Sequence, residues 1–444
     1  TSYSRIILIY YTMKEKFIKS SIILIIGGAL TKILGIVIRM VMSRVATIEA
    51  ISLYMMVLPT FSLMMAISQL GFSKGVSKLV SEGKYQSKKI LFSILPLSLL
   101  INISLTIFLV FTSKFIALNL LHNPNTYLPI LAISLVLPFD SLSSMLRGFF
   151  FGKEKMTPHV VSHLAEQIVR LILMLLVIPL FKNKGMVITT TFLILINVLS
   201  ELASSLVLIF SLPKRFTIKK LDLKPSFHYL RNVLSISIPT TATRIIGTIG
   251  YFLEPIILTS VLLSVGYSSE FITNEYGVIT AFVMPILLLP SFFTTAISNA
   301  MFPIISREYS QKNIPYIRNK LKQALLFSLI IAFFSIIIIN IFPNFLLKFF
   351  YKTDLGVNYL RFLSPIFILY SLEAPLSAFL EATNNAKDVM YDNLIGIIIK
   401  TIFLFLLSYL KIGLYSLLIS MIINIFVVTI RHIAKIKKVL KTNC

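Results

Sequence analysis

Charge, cysteine and tryptophan are what this 444-residue sequence has little of. Charged residues make up 13%, against about a quarter in average soluble chains, which excludes a soluble multidomain enzyme, a disordered chain and a coiled coil. The single cysteine, Cys444, cannot form an intramolecular disulfide, so a secreted disulfide scaffold is excluded as well. No GxxxxGK[ST] loop occurs, and ATP hydrolysis through a P-loop is not expected. Acidic residues are also scarce, 17 against 42 Lys and Arg.

What is present is apolar. Hydrophobic residues reach 57%, and apolar runs of about 20 residues recur along the chain, each long enough to cross a hydrocarbon core of ~30 Å. The reading is an all-α, polytopic membrane protein of twelve transmembrane helices. The spans fall near 17–42, 51–70, 90–111, 127–150, 160–180, 186–210, 232–262, 277–300, 323–342, 357–381, 390–410 and 413–431. The formal charge of +25 does not point to nucleic acid, because the basic residues crowd one set of alternating loops. Lys74, Lys78, Lys84, Lys88 and Lys89 follow the second span, Lys153 and Lys155 the fourth, and Arg431, Lys435, Lys437 and Lys438 the last. That asymmetry marks the cytoplasmic side and predicts cytoplasmic termini; anionic lipid headgroups are a sufficient partner for the excess charge.

The longest basic linker, with Lys214, Arg215, Lys219, Lys220 and Lys224, follows span six. It divides the chain into an N-terminal six-helix bundle (13–212), a linker (213–231), a C-terminal six-helix bundle (232–432) and a basic tail (433–444). Residues 1–12 precede Met13-Lys14-Glu15-Lys16 and read as an upstream extension. The halves resemble each other. Thr31-Lys32-Ile33-Leu34-Gly35 matches Thr243-Arg244-Ile245-Ile246-Gly247, and Ala66-Ile67-Ser68-Gln69 matches Ala296-Ile297-Ser298-Asn299. Gly152-Lys153-Glu154-Lys155-Met156 likewise matches Ala386-Lys387-Asp388-Val389-Met390. Six spans per repeat give both repeats the same orientation, the arrangement of transporters that rock two bundles around a central site.

Ionisable residues inside spans are costly, so each is a candidate. Lys32 and Arg39 lie seven apart on one face of the first span with Gly28 and Gly35, and Arg244 takes the matching place in span seven beside Gly247. They form a candidate cationic lining for phosphate, Arg by bidentate geometry and Lys as a point charge. The alternative is internal ion pairing, since Asp140, Glu166, Glu201, Glu254 and Glu373 also lie in spans. Glu166 and Arg170 have the spacing of an intrahelical structural pair. Asp140, Glu166 and Glu373 are candidate cavity or coupling carboxylates; Lys32, Arg170 and Lys400 are possible ion partners for Asp140 and Glu373. His159 and His163 are four apart with Glu166 on the same face, but the spacing lacks a metalloprotease glutamate and no metal is expected. Neither a catalytic residue nor a cofactor is expected.

Lys32-Ile33-Leu34-Gly35-Ile36-Val37-Ile38-Arg39, Leu53-Tyr54, Ser77-Lys78-Leu79-Val80-Ser81-Glu82, Leu146-Arg147-Gly148, Met156-Thr157-Pro158 and Glu166-Gln167-Ile168-Val169-Arg170 together resemble the stage V sporulation protein B family. This is the polysaccharide-transport branch of the multidrug and oligosaccharide flippase (MOP) superfamily, related to the lipid II flippase MurJ. The resemblance implies a V-shaped, MATE-like pair of bundles that moves a polyprenyl-pyrophosphate-linked saccharide, a peptidoglycan or spore-cortex precursor, across the bacterial plasma membrane. It makes Lys32 the first-helix cation of the flippases, and Arg39 and Arg244 cations of the sporulation branch. Span two has no Arg between Leu53 and Leu70, and span eight none between Gly277 and Ala300, where MurJ-type chains place cavity arginines. The expectation is therefore a lipid-linked glycan in general, handled by a monomer and driven by the membrane potential or a monovalent ion. The rivals are a cation-coupled multidrug exporter of the same superfamily, a membrane-embedded glycosyltransferase or polymerase, and a non-transporting scaffold.

Overall fold

The computed structural model describes residues 2–83, 86–213 and 226–442; the basic run from Lys214 to Lys224, together with Lys84 and Cys444, lies outside them. The described chain is helical: α1 (Ser2–Val45), α2 (Ile48–Gln69), α3 (Phe72–Ser81), α4 (Ser87–Phe115), α5 (Tyr127–Gly152), α6 (Met156–Phe181), α7 (Met186–Phe210), α8 (Phe227–Ser264), α9 (Ser269–Val278), α10 (Met284–Leu288), α11 (Ser291–Ser310), α12 (Ile314–Ile341), α13 (Pro343–Tyr351), α14 (Val357–Leu363), α15 (Phe367–Ala382), α16 (Ala386–Ser408) and α17 (Tyr415–Thr442). Twelve stretches among the described residues are long and apolar enough to span a membrane. Their outward faces carry large apolar side chains, such as Leu100, Ile103 and Phe111 on α4 and Phe327, Phe333 and Phe334 on α12. Lipid, unlike water, places no penalty on that exposure.

The chain divides into two compact units, the first running to Thr248 and the second comprising Leu120–His122 and Ile249 onward. The division falls within α8. Each unit repeats the same internal packing. In the first, α3 packs on α4 and α5, α4 on α5, and α7 on both α5 and α6. In the second, α11 packs on α12 and α15, α12 on α15, and α17 on both α15 and α16. The cores correspond: Phe72, Val76, Ile90, Met145 and Phe149 in one, and Met301, Ile305, Ile317, Leu376 and Phe379 in the other.

Helix breaks fall where the backbone demands them, and not at matching places. In the first unit Leu70 (φ 39°) and Gly71 (φ 60°) turn left-handed and separate α2 from α3. A Cβ on Gly71 would meet Thr241 Oγ1 at 2.7 Å and the Ser237 carbonyl at 2.9 Å, both on α8, so glycine is required twice over. In the second unit, the span expected over 277–300 is instead broken between α10 and α11. The candidate membrane stretch is Ser269–Leu288, and α11 starts beyond Pro290. Proline has no amide hydrogen to continue the helical ladder.

On its other side α3 lies against α5. A Cβ on Gly148 would collide with the Ser73 backbone, and one on Gly152 with the Ser77 carbonyl, a small-residue contact that lets the two backbones approach. The neighbour is backbone and cannot rotate away. Gly148→Ala is therefore expected to destabilise the purified protein by about 1–3 kcal/mol, read as a lower melting temperature; an unchanged melt would mean that α3 can shift freely.

Candidate functional site

The interior charges of the first unit resolve into two sets. The first is closed. Arg147, 8% exposed and missed by the sequence reading as a site residue, projects from α5 into the space between α6 and α7. Its Nη2 donates to Glu166 Oε2 at 2.7 Å and to Ser204 Oγ at 2.7 Å, and lies 3.5 Å from Glu201 Oε2. Arg170 Nη2 approaches the other Glu166 oxygen at 2.8 Å, the geometry its i, i+4 spacing predicts. His163 Nδ1 lies 3.5 Å from Glu166 Oε2, and Ser143 Oγ donates to Glu201 Oε2 at 2.7 Å. Two guanidinium groups thus face two carboxylates in a buried cluster that ties α5, α6 and α7 together. Such a set is balanced, and no formal charge is left over for a ligand.

The remaining candidate cations are on α1 and α8. On α1, Lys32 is exposed and Arg39 half-buried. Among the described residues no carboxylate pairs with Arg39. A Cβ on Gly28, Gly35 or Gly247 would, among the described residues, meet no atom within 4 Å, so the glycines beside these cations leave room instead of drawing helices together. Arg244 on α8 donates to Gln69 Oε1, and Gln69 Nε2 donates to both oxygens of Asp140, at 2.9 and 2.7 Å. Asp140 is only 2% exposed. Its partner is this amide, and not Lys32 or Arg170. Beside it, Ser68 Oγ donates to Asn102 Oδ1 at 2.7 Å and Ser98 meets Ser141 at 2.6 Å, a polar seam across α2, α4 and α5.

The second unit does not duplicate this arrangement. Lys400 pairs with Glu254 instead of Glu373, and Glu373 Oε1 is buried with no hydrogen-bond partner among the described residues. Asn299, the repeat mate of Gln69, is exposed. Between the first turns of α16 and the last turns of α17, Asp392 takes Arg431 at 2.7 Å and Asp388 takes Lys435 at 2.6 Å. The His159 and His163 rings lie edge to face at 5.0 Å. With Gly27, Gly28 and Thr31 of α1 they line a cavity of about 260 Å³. No group of three His, Cys, Asp or Glu side chains among the described residues could hold a metal.

Comparison with known proteins places this architecture. Residues 17–308 match the family model described as polysaccharide biosynthesis protein. The chain belongs to that family. A second model, MatE, matches residues 248–406. Stage V sporulation protein B of Bacillus subtilis (strain 168) is 34% identical over 96% of this chain and 85% of its own. The lipid II flippase MurJ of the same strain is 24% identical over 88% of this chain and 77% of its own. The helices superpose on a structure described as the inward-facing conformation of a multidrug resistance MATE family transporter of the MOP superfamily, with a TM-score of 0.71. That match is 14% identical and covers 93% of this chain and 95% of that one. This family member is thus a multi-pass membrane transporter of the MOP superfamily with a MATE-like fold, related to stage V sporulation protein B and MurJ, and not an enzyme.

Proposed function

We propose that this transporter is a flippase for a polyprenyl-pyrophosphate-linked saccharide, a peptidoglycan or spore-cortex precursor or a similar lipid-linked oligosaccharide, in the bacterial plasma membrane. The observation that carries the reading is the sorting of interior charge. Arg147 and Arg170 are neutralised by Glu166 and Glu201, whereas among the described residues Arg39 has no acidic partner and Arg244 pairs with an amide. Cations kept at membrane depth without a carboxylate suit an anionic cargo and disfavour a cationic drug. Lys32, Arg39 and Arg244 would receive the pyrophosphate, while the polyprenyl chain stays in lipid. The relative whose name includes lipid II flippase supports the substrate class. The two six-helix bundles, 13–212 and 232–432, would alternate access with both termini cytoplasmic, in keeping with the basic loops.

A ligand that binds only the folded state raises its stability, by about 2.7 kcal/mol at a hundredfold excess over Kd. Polyprenyl pyrophosphate added to the detergent-solubilised protein is expected to raise the melting temperature, and an organic cation to leave it unchanged. Stabilisation by the cation alone would instead assign the chain to the multidrug exporters.

A further inference from the structure

Gln69 is the last residue of α2, and the turn between α2 and α3 fixes its direction. Leu70 and Gly71 turn left-handed, and the turn is held against α8, where Ser237 Oγ donates to the Gly71 carbonyl at 3.2 Å. The side chain is thereby placed between α5 and α8. Both carboxyl oxygens of Asp140 accept from its amide nitrogen, which leaves the amide oxygen facing Arg244. An amide has two distinguishable ends; with Asp140 holding the nitrogen, the carbonyl dipole is aimed at the guanidinium.

This arrangement does something that a direct ion pair would not. A carboxylate in the place of Gln69 would fix Arg244 and also neutralise it. The amide fixes the guanidinium through one nitrogen, Nη1, and leaves its charge uncancelled by contact. The matching Asn299 of the second unit is exposed.

We propose that Gln69, locked by Asp140, is the positioning residue that presents Arg244 to the pyrophosphate of the substrate. The proposal rests on the flippase reading. It predicts that Gln69 acts through Arg244, and a double-mutant cycle isolates such coupling. The measurement is equilibrium binding of polyprenyl pyrophosphate to the full chain in lipid nanodiscs, for wild type, Gln69→Ala, Gln69→Glu, Arg244→Ala and the Gln69→Ala/Arg244→Ala double variant. Gln69→Ala should weaken binding roughly tenfold, the scale of one hydrogen bond to a charged group. It should have no further effect once Arg244 is gone. Gln69→Glu, which keeps size and polarity but neutralises Arg244, should bind no better than Gln69→Ala. Wild-type affinity in Gln69→Ala or Gln69→Glu, or an equal loss in both Arg244 backgrounds, would overturn the positioning role while leaving the flippase reading in place. Failure of the wild type to bind at all would overturn both.

Discussion

Arg147→Ala is expected to be the most destabilising single substitution in the first unit. Among the described residues it leaves Glu201 with the Ser143 hydroxyl alone and removes one of the two guanidinium groups that hold Glu166. Breaking a buried ion pair by removing one partner costs about 3–5 kcal/mol, because the remaining charge is desolvated without compensation. The same cost falls on α5, α6 and α7 together, since the cluster joins all three. The expected result is a steep fall in the melting temperature of the purified protein, or its loss from the membrane fraction. Arg147→Met combined with Glu201→Gln should recover part of the loss, because the second change removes the stranded charge. A single variant that melts like wild type would contradict the structural role assigned to the cluster.

Arg39→Ala should behave in the opposite way, with stability retained and substrate binding lost. Arg39 has no acid to strand among the described residues, so its removal leaves no buried carboxylate uncompensated. Charge-assisted hydrogen bonds contribute about 1.5–3 kcal/mol, so the affinity for a pyrophosphate lipid should fall roughly ten- to hundredfold. Arg39→Lys keeps the charge and loses the bidentate geometry, and should fall between the two. Titration of the purified variants with polyprenyl pyrophosphate checks this. A variant that binds normally but melts early would return Arg39 to structural ion pairing.

The fold was readable because the membrane imposes one rule on every span: about 20 apolar residues with all backbone polar groups satisfied internally. Each of the twelve apolar runs corresponds to a helical stretch of the structure. The exception in detail, the eighth, turns on local chemistry at Pro290 that hydropathy does not register. The Glu166–Arg170 contact was legible for a similar reason, since spacing along one helix sets it. Arg147 and Gln69 were not assigned roles, and Glu201 was named only among the acids open to ion pairing, because their partners lie 19 to 175 residues away and packing brings them together. One signal was available for Gln69. It sits in the segment Ala66-Ile67-Ser68-Gln69 that repeats as Ala296-Ile297-Ser298-Asn299, and the Gln-to-Asn change marks where the two units diverge. The choice of partners was likewise beyond reach: Lys400 meets Glu254, and Asp140 meets an amide. The count of interior acids likewise hid their uneven placement: Glu166 and Glu201 gather around Arg147 and Arg170, while Asp140 meets an amide.

Transbilayer movement of a labelled polyprenyl-pyrophosphoryl disaccharide, in vesicles reconstituted with wild type, Arg39→Ala or Arg244→Ala, tests the central claim most directly. Movement by wild type that both variants lose is the predicted result. No movement by wild type, in vesicles that accumulate an organic cation under an ion gradient, would contradict it.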